Sequence, residues 1–331
     1  MKRLGIIVGI FGTIAFLVAF FVSRRTQISK EGPIVQPTIS PIVSPLPQPS
    51  FPADPMVPSP SYTLGAIADT FPRSLPVFTA QPVANEQVEV QRIAAVLGIQ
   101  SPPAVDRAPE GAYYMWSTSP GLFIGPGTQH VDYSAVAPTN TPLASPDNTF
   151  VSAGMGLATR VLQWYQLKLT STLYFAPQVT DLNFVPRQSA TAIQLIFTPQ
   201  LSGLPLIAGN PTTSGITIRY NASQSLLYFS GYTYPKFVAS GATPIISLED
   251  AGRRLLSNQG TILSLSSAAD INAHDTKWYQ FSLATVSRAD LAYYYDFAKK
   301  QLSPVFLFTG AAIDKTTGKQ VDTTTAVSAV P

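Results

Sequence analysis

The first hydrophobic feature of the chain is an apolar run at its N-terminus. Residues 4–22 carry no charged side chain over 19 positions, and basic pairs lie on both sides of them, at 2–3 and 24–25. A helix of this length is about 28 Å long, close to the ~30 Å hydrocarbon core of a bilayer. The run therefore predicts a transmembrane signal anchor with a short cytoplasmic tip, within residues 1–25. A cleaved signal peptide is the alternative, but the bulky, basic end AFFVSRR is not typical of a cleavage site.

The flanking charges of this run barely define its orientation, because both ends are basic. Long domains translocate largely regardless of such charges, so a cytoplasmic N-terminus with the remaining chain outside is permitted. Gly5, Gly9 and Gly12 are candidate residues for helix–helix contact in the membrane, because small residues at this spacing let two helices approach closely.

Prolines dominate the next segment. Ten of them lie between Gly32 and Pro60, and Asp54 is the one charged residue there. Each proline fixes its own φ and removes a backbone donor, so neither a helix nor a sheet can form. We predict an extended, polyproline-II-like spacer over residues 26–70, in which the proline tract Gly32–Pro60 alone reaches up to about 90 Å. A PxxP ligand for an SH3-like partner is the functional alternative, but the tract lacks flanking basic residues.

From Phe71 onward, short alternating runs and one helical stripe replace the prolines. SLPVFTAQPV (74–83) predicts a strand, and NEQVEVQRIAAVLG predicts a helix capped by Asn85 and ended at Gly98. The apolar positions of this helix share one face: Val90, Ile93, Ala94 and Leu97. Strand-like runs follow at 112–118, 121–125 and 130–134. Residues 71–136 are therefore predicted to form a first α+β unit.

A Pro/Thr-rich linker is predicted at 137–150, and a second α+β region at 151–331 with two helix-then-strands units. The first unit begins with a helix that Ser152 would cap, and its strands are expected at 171–177, 191–198, 215–220 and 225–234, with a loop at 203–215. The second begins with SLEDAGRRLLSNQG (247–260), where Ser247 and Asp250 resemble a capping box. Its strands are expected at 277–287, 289–297, 303–313 and 323–330.

Short turns between these strands favour antiparallel sheets, each of which needs a helix or another sheet to cover its apolar face. The predicted fold class is therefore α+β: an N-terminal transmembrane helix, then helices packed on antiparallel sheets in two lobes.

Charge and composition exclude several functions. Of 21 basic and 18 acidic residues, five basic and one acidic lie within positions 1–31, which leaves 16 basic and 17 acidic residues for the remainder. Such a nearly neutral chain lacks the basic stripe that binds phosphates, so no nucleic-acid partner is expected. The chain has no cysteine, which removes disulfides, thiolate nucleophiles and Cys-based metal sites.

Candidate chemistry is sparse. The two histidines are His130, in a strand-like run, and His274, near Asp270 and Asp275; this spacing is common in loops and predicts no metal site. Glu249 and Asp250 are best explained as first-turn residues of a capped helix. No catalytic residue, cofactor or metal is therefore predicted. Aromatic side chains are the candidate binding surface, at Tyr232, Tyr234, Tyr293, Tyr294 and Tyr295.

The order of these segments resembles a known type of protein. LPVFTAQP with its helix, AYYMWS, ISLEDAGRRLL and QLSPVFLFTGAA resemble bacterial membrane-anchored extracytoplasmic regulatory proteins of the YycH/YycI type and PepSY-like domains, over roughly residues 71–331. The resemblance implies a domain outside the cytoplasm, an α+β fold and a non-enzymatic role. It also implies a membrane partner such as a histidine kinase, with pairing partly through transmembrane helices. The long proline spacer departs from those regulators.

The expected function is therefore that of a single-pass, membrane-anchored extracytoplasmic interaction or regulatory protein without catalytic activity. Its partner would be a protein or peptide, bound through sheet edges or an aromatic groove. The alternative is a cell-envelope hydrolase acting on glycan or peptide. An enzyme should show converging carboxylates in a pocket, or a nucleophile beside His130 or His274, whereas an interaction module should show neither.

Overall fold

The computed structural model describes residues 60–67, 70–137, 140–177, 182–209, 214–266 and 281–331. All of them fall in one compact unit, Pro41–Pro331. This part of the chain contains three α-helices: α1 (Glu86–Val96), α2 (Asp147–Leu162) and α3 (Leu248–Leu256).

Seventeen strands occupy the same described residues, so strands dominate the structure. They are β1 (Ser61–Leu64), β2 (Ser74–Gln81), β3 (Ala104–Ala108), β4 (Gly111–Trp116), β5 (Gly121–Ile124), β6 (His130–Ser134), β7 (Gln166–Pro177), β8 (Leu182–Phe184), β9 (Ala192–Leu201), β10 (Leu204–Ile207), β11 (Ile216–Asn221), β12 (Leu226–Tyr232), β13 (Lys236–Pro244), β14 (Thr261–Ser266), β15 (Leu283–Asp296), β16 (Gln301–Ile313) and β17 (Gln320–Ser328).

Fifteen of the strands are hydrogen-bonded into one large sheet, while β2 and β13 form a separate antiparallel ribbon. One half of the large sheet is the antiparallel set β14-β17-β16-β15. The other half is the antiparallel set β9-β11-β12-β6-β5-β4-β3, with β7 and β8 on the far side of β9. Below, these are the C-terminal half and the central half of the sheet.

A single short strand joins the two halves. Residues 204–205 of β10 pair antiparallel with the end of β9, and residues 206–207 pair parallel with Tyr293 and Tyr294 of β15. β1 also pairs parallel with β15, near its beginning. The large sheet is therefore mixed, and its two halves share a hydrogen-bonded path through β10.

α2 covers one face of the central half. The alternation along β9 turns Ile193, Leu195 and Phe197 to this face, and all three are fully buried. Gly154 lies on the buried side of α2, where a Cβ atom would stand 2.8 Å from Cδ1 of Leu195. The helix thus packs so closely on the sheet that an added Cβ at Gly154 would overlap Leu195. α1 is attached beside it through Arg92, whose guanidinium donates to the carbonyls of Arg160 and Val161 at 2.5 and 2.8 Å.

The β2–β13 ribbon packs against the C-terminal half of the sheet. Phe78 of β2 meets the Tyr293 ring edge-on at 5.4 Å, and the Tyr293 hydroxyl donates to the carbonyl of Pro76 at 2.9 Å. On α3, Arg254 donates to the carbonyl of Val330 at 2.7 Å. The opposite face of β15 also carries buried side chains, which form a second cluster: Ile207, Leu263, Ala292, Tyr294, Val305, Leu307 and Ala326.

The predicted fold class, α+β with an N-terminal transmembrane helix and helices packed on antiparallel sheets in two lobes, is wrong. The described residues form a mostly β structure around one large mixed sheet. Local patterns do not show that strands of different helix-then-strands units pair with one another. In fact β6, from the predicted first unit, pairs with β12 along Tyr228↔Ser134 to Tyr232↔His130. In addition, a β ribbon rather than a helix covers Tyr293.

No helix in the described ranges is long and apolar enough to cross a bilayer. The predicted anchor at 1–25 and most of the predicted spacer at 26–70 lie outside the described residues, so the anchor stays a prediction. Within the described end of the spacer, Ser61–Leu64 form β1, which is paired in the sheet rather than part of a free extended segment. The boundaries predicted at 71–136, 137–150 and 151–331 also stay a prediction.

Candidate functional site

The central half of the sheet has a second face, opposite α2, that carries polar and aromatic side chains. Cross-strand pairs place Arg219 beside Gln194 and Tyr228, and Ser230 beside Thr217 and Asp132. We call this surface the open face, because its side chains are half-buried or exposed: Phe123, His130, Asp132, Ser134, Gln194, Thr217, Arg219, Tyr228, Ser230 and Tyr232.

Arg219 is the most constrained side chain of the open face. Its Nη2 and Nε donate to Oε1 of Gln194 at 2.6 and 3.2 Å. Its guanidinium carbon lies 4.7 Å from the centroid of Phe175 and 5.4 Å from that of Tyr228, so two rings flank the charge. Burial lowers the pKa of this guanidinium, although an arginine stays charged at neutral pH.

This charge has no carboxylate partner within the described residues, where the ion pairs all involve other groups. A neutral amide, Gln194, holds the guanidinium in place instead. A partly desolvated cation that is oriented by neutral groups is an arrangement suited to receiving an anion from outside the chain.

His130 and Asp132 form the second polar group of the open face. His130 Nε2 lies 2.7 Å from Oδ2 of Asp132. Burial alone would raise the pKa of the Asp132 carboxyl, but hydrogen bonds from His130 and Ser230 outweigh it and lower the pKa below its usual value. Asp132 is therefore ionised at neutral pH and acts as an acceptor.

These three residues do not assemble a Ser-His-Asp triad. In a triad the aspartate binds one imidazole nitrogen while the other nitrogen faces the nucleophile. Here Ser230 is hydrogen-bonded to Asp132, and His130 Nδ1 is buried with no hydrogen-bond partner. Among the described residues, no nucleophile is hydrogen-bonded to His130. The arrangement can position hydrogen bonds to a ligand, but it does not prepare a serine for attack.

The structure separates the five tyrosines predicted as a binding surface. Tyr234, Tyr293 and Tyr295 are buried in the main core, and Tyr294 is buried in the second cluster. Burial raises the pKa of the Tyr295 hydroxyl to about 12 and that of Tyr234 well above its ordinary value. Tyr232 differs, because it is half-buried at the end of the open face, where its ring stacks on Phe297 at 5.4 Å.

Other predicted residues lie elsewhere. Gly5, Gly9 and Gly12 lie outside the described residues, as do His274, Asp270 and Asp275. Within the described ranges no group of three or more His, Cys, Asp or Glu side chains could hold a metal ion. Glu249 and Asp250 lie in the first turn of α3, as predicted.

The sequence carries one signal for the open face, in the alternation along β11. In GITIRY, Thr217 and Arg219 alternate with Ile216, Ile218 and Tyr220, so a strand must turn Arg219 away from the core. The positions of Gln194 and Phe175 around it depend on strand register, which the local pattern does not show.

Comparisons with known proteins add little. No family model matches the chain, and no curated protein matches it. Among solved structures, it is similar to an uncharacterised protein from Eubacterium rectale ATCC 33656, with 11% identity and a TM-score of 0.46, over 78% of this chain and 84% of that one. Similarity at this level gives no support for a shared function.

Proposed function

We propose that the protein is a membrane-tethered binding module without catalytic activity, which presents the open face to a ligand outside the cytoplasm. The observation that carries the proposal is Arg219: a half-buried cation, oriented by Gln194 and two rings, with no carboxylate partner among the described residues. The remainder of the face supplies acceptors and donors, with Asp132 held ionised by its neighbours.

The tether in this proposal is supported by sequence alone. The apolar run at residues 4–22 would hold the chain in the membrane, and the prolines after it would set the folded part at a distance from the bilayer. Protease added outside intact cells should therefore degrade the C-terminal part of the full chain. A C-terminal part that survives while known surface proteins are degraded would contradict this arrangement.

Binding through the open face is tested with delipidated cell-envelope material from the producing cell. The full chain, solubilised in a mild non-ionic detergent, is sedimented with this material, and the bound fraction is measured. Ser134→Arg places a bulky cation on the open face at an exposed position, so folding should be retained. Ser240→Arg makes the same change at an exposed position of the β2–β13 ribbon and serves as the matched control.

We expect the wild type and the Ser240→Arg variant to sediment with the envelope material, and the Ser134→Arg variant to bind at least tenfold more weakly. Equal binding of the two variants would show that the open face is not the binding surface. Hydrolysis of the envelope material by the full chain would contradict the absence of catalysis.

A further inference from the structure

The guanidinium of Arg219 has hydrogen-bonding capacity left over. An arginine offers five N–H donors in a planar fork, and the Nε and Nη2 atoms use one each on Gln194. These two bonds and the two flanking rings fix the plane of the guanidinium. The remaining donors belong to a charge that is already partly desolvated and held in place. Binding an anion there would therefore cost little additional side-chain entropy.

A carboxylate fits this position better than a phosphate. Arginine matches both anions in a bidentate manner, but the charge balance of the open face distinguishes them. Asp132 is ionised and lies two strands and two residues from Arg219, which is about 12 Å between Cα atoms. One cation and one anion leave the face without a net charge. A carboxylate places a single negative charge at the guanidinium and matches its one positive charge, whereas a phosphate dianion places two charges at the same point and leaves one unbalanced.

The surface around Arg219 favours a carbohydrate as the carrier of this carboxylate. β11 and β12 are hydrogen-bonded on both sides along this face, so a peptide cannot add to them as a further strand. What remains is a surface with the Tyr228 ring and short hydroxyl side chains at Ser134, Thr217 and Ser230. Aromatic rings pack against apolar ring faces, and hydroxyls and Asp132 pair with the hydroxyls of a sugar.

We infer that Arg219 anchors a binding site for the carboxylate of an acidic carbohydrate, with Gln194 as its positioning residue and the Tyr228 ring as the adjoining platform. This inference rests on the proposed binding function and names its ligand class. Gln194 acts by fixing the orientation of the guanidinium through its two hydrogen bonds, so its loss should weaken binding even though it carries no charge.

The test uses the full chain in detergent micelles and titration calorimetry with four probes: trigalacturonate, neutral maltotriose, triglutamate and inorganic phosphate. Arg219→Gln removes the charge, and Arg219→Lys keeps the charge but loses the planar fork. Arg253→Gln, on the exposed side of α3, is the matched control for the loss of one arginine. Thermal unfolding of each variant shows whether the fold is retained.

We expect trigalacturonate to bind the wild type and the Arg253→Gln variant equally. Arg219→Gln should weaken its binding about 10- to 100-fold, as expected for the loss of a charge-assisted bidentate contact. Arg219→Lys should weaken it by a smaller factor, and raising the salt concentration should weaken binding to the wild type.

Four results would overturn the inference: no binding of trigalacturonate, equal binding of maltotriose, tighter binding of triglutamate, or displacement of trigalacturonate by equimolar phosphate. If Arg219→Gln unfolds, Gln194→Leu provides the second variant, and unchanged affinity there would also overturn it. These failures are distinct from failure of the proposed function, because the Ser134→Arg sedimentation result does not depend on which ligand the envelope material carries.

Discussion

The close approach of α2 to the sheet can be tested with two glycines on the same helix. Gly154 is buried, and an added Cβ would lie 2.8 Å from Cδ1 of Leu195 and 3.1 Å from Cε2 of Phe197. Gly156, two residues later, is exposed, and an added Cβ there would meet nothing within 4 Å. Changing each glycine to alanine therefore alters the helix in the same way but alters the packing at one position only.

The expected magnitudes follow from two opposing effects. Replacing glycine by alanine inside a helix stabilises it by about 1 kcal/mol, because less backbone entropy is lost on folding. Gly156→Ala should show this gain. Gly154→Ala has the same gain, but the leucine and phenylalanine side chains must shift, and overpacking of this kind costs about 1–3 kcal/mol. The Gly154→Ala variant should thus be less stable than the Gly156→Ala variant by about 1–3 kcal/mol.

Equilibrium unfolding in guanidinium chloride, followed by far-ultraviolet circular dichroism on the full chain in detergent, measures both changes against the wild type. The comparison between the two variants is more informative than either value alone, because helix propensity cancels. If Gly154→Ala is as stable as Gly156→Ala, α2 does not pack on Leu195 and Phe197 as described, and the assignment of the opposite side as the open face loses its basis.

Two further predictions concern the core. Burial raises the pKa of Tyr220 and of Tyr295 to about 12, so the folded state retains these protons longer than the unfolded state. The free energy of unfolding should not change through these two groups up to about pH 10. Between about pH 10 and pH 12, each of the two tyrosines should lower it by about 1.4 kcal/mol per pH unit. Denaturant unfolding at pH 9 and pH 11 checks this, and equal values would refute it. Gly310→Ala places a Cβ 2.2 Å from the carbonyl oxygen of Thr285, a backbone atom that no rotamer change can move. Gly310→Ala should lower the free energy of unfolding by more than about 3 kcal/mol. The control is Gly318→Ala in the hairpin between β16 and β17, where φ is +67° and an added Cβ meets nothing within 4 Å, so it should cost about 1–2 kcal/mol. Thermal unfolding measures both variants, and similar losses would contradict the close approach of β15 and β16.

Local signals in the sequence predicted the capped helices well. Asn85 accepts from the amide of Val88 at 3.2 Å, and Ser247 accepts from the amide of Asp250 at 3.0 Å, so both predicted caps are confirmed. The predicted start of α2 is wrong, because the helix begins at Asp147 rather than after Ser152. Pro146 precedes Asp147 directly, and a proline followed by an acidic residue is a helix-start signal that the linker prediction overlooked.

The same local signals could not predict which strands pair when they are distant in the sequence. Residues 203–215 were predicted to be a loop, yet β10 lies there and joins both halves of the sheet. Its four residues sit between two glycines and contain a proline, so no periodicity marks it. Along β15, buried residues occur on both faces, and alternation could not show which tyrosines were accessible. The outward direction of Arg219 could be predicted, but its partners could not.

The way β1 enters the sheet has a mechanical consequence. Residues 1–60 precede β1 in the chain, so a pull on the chain at Ser61 would enter the described fold along Ser61–Leu64. These residues lie alongside β15, with the amides of Ser61 and Gly65 donating to the carbonyls of Ser282 and Val286, each at 2.8 Å. Force directed along β1 loads all of these bonds together in shear, and β15 passes it to β16 over twelve paired residues. Such a pull would therefore act in shear on β15, the longest strand of the described residues, and a strand loaded in shear resists pulling better than one that peels away one bond at a time.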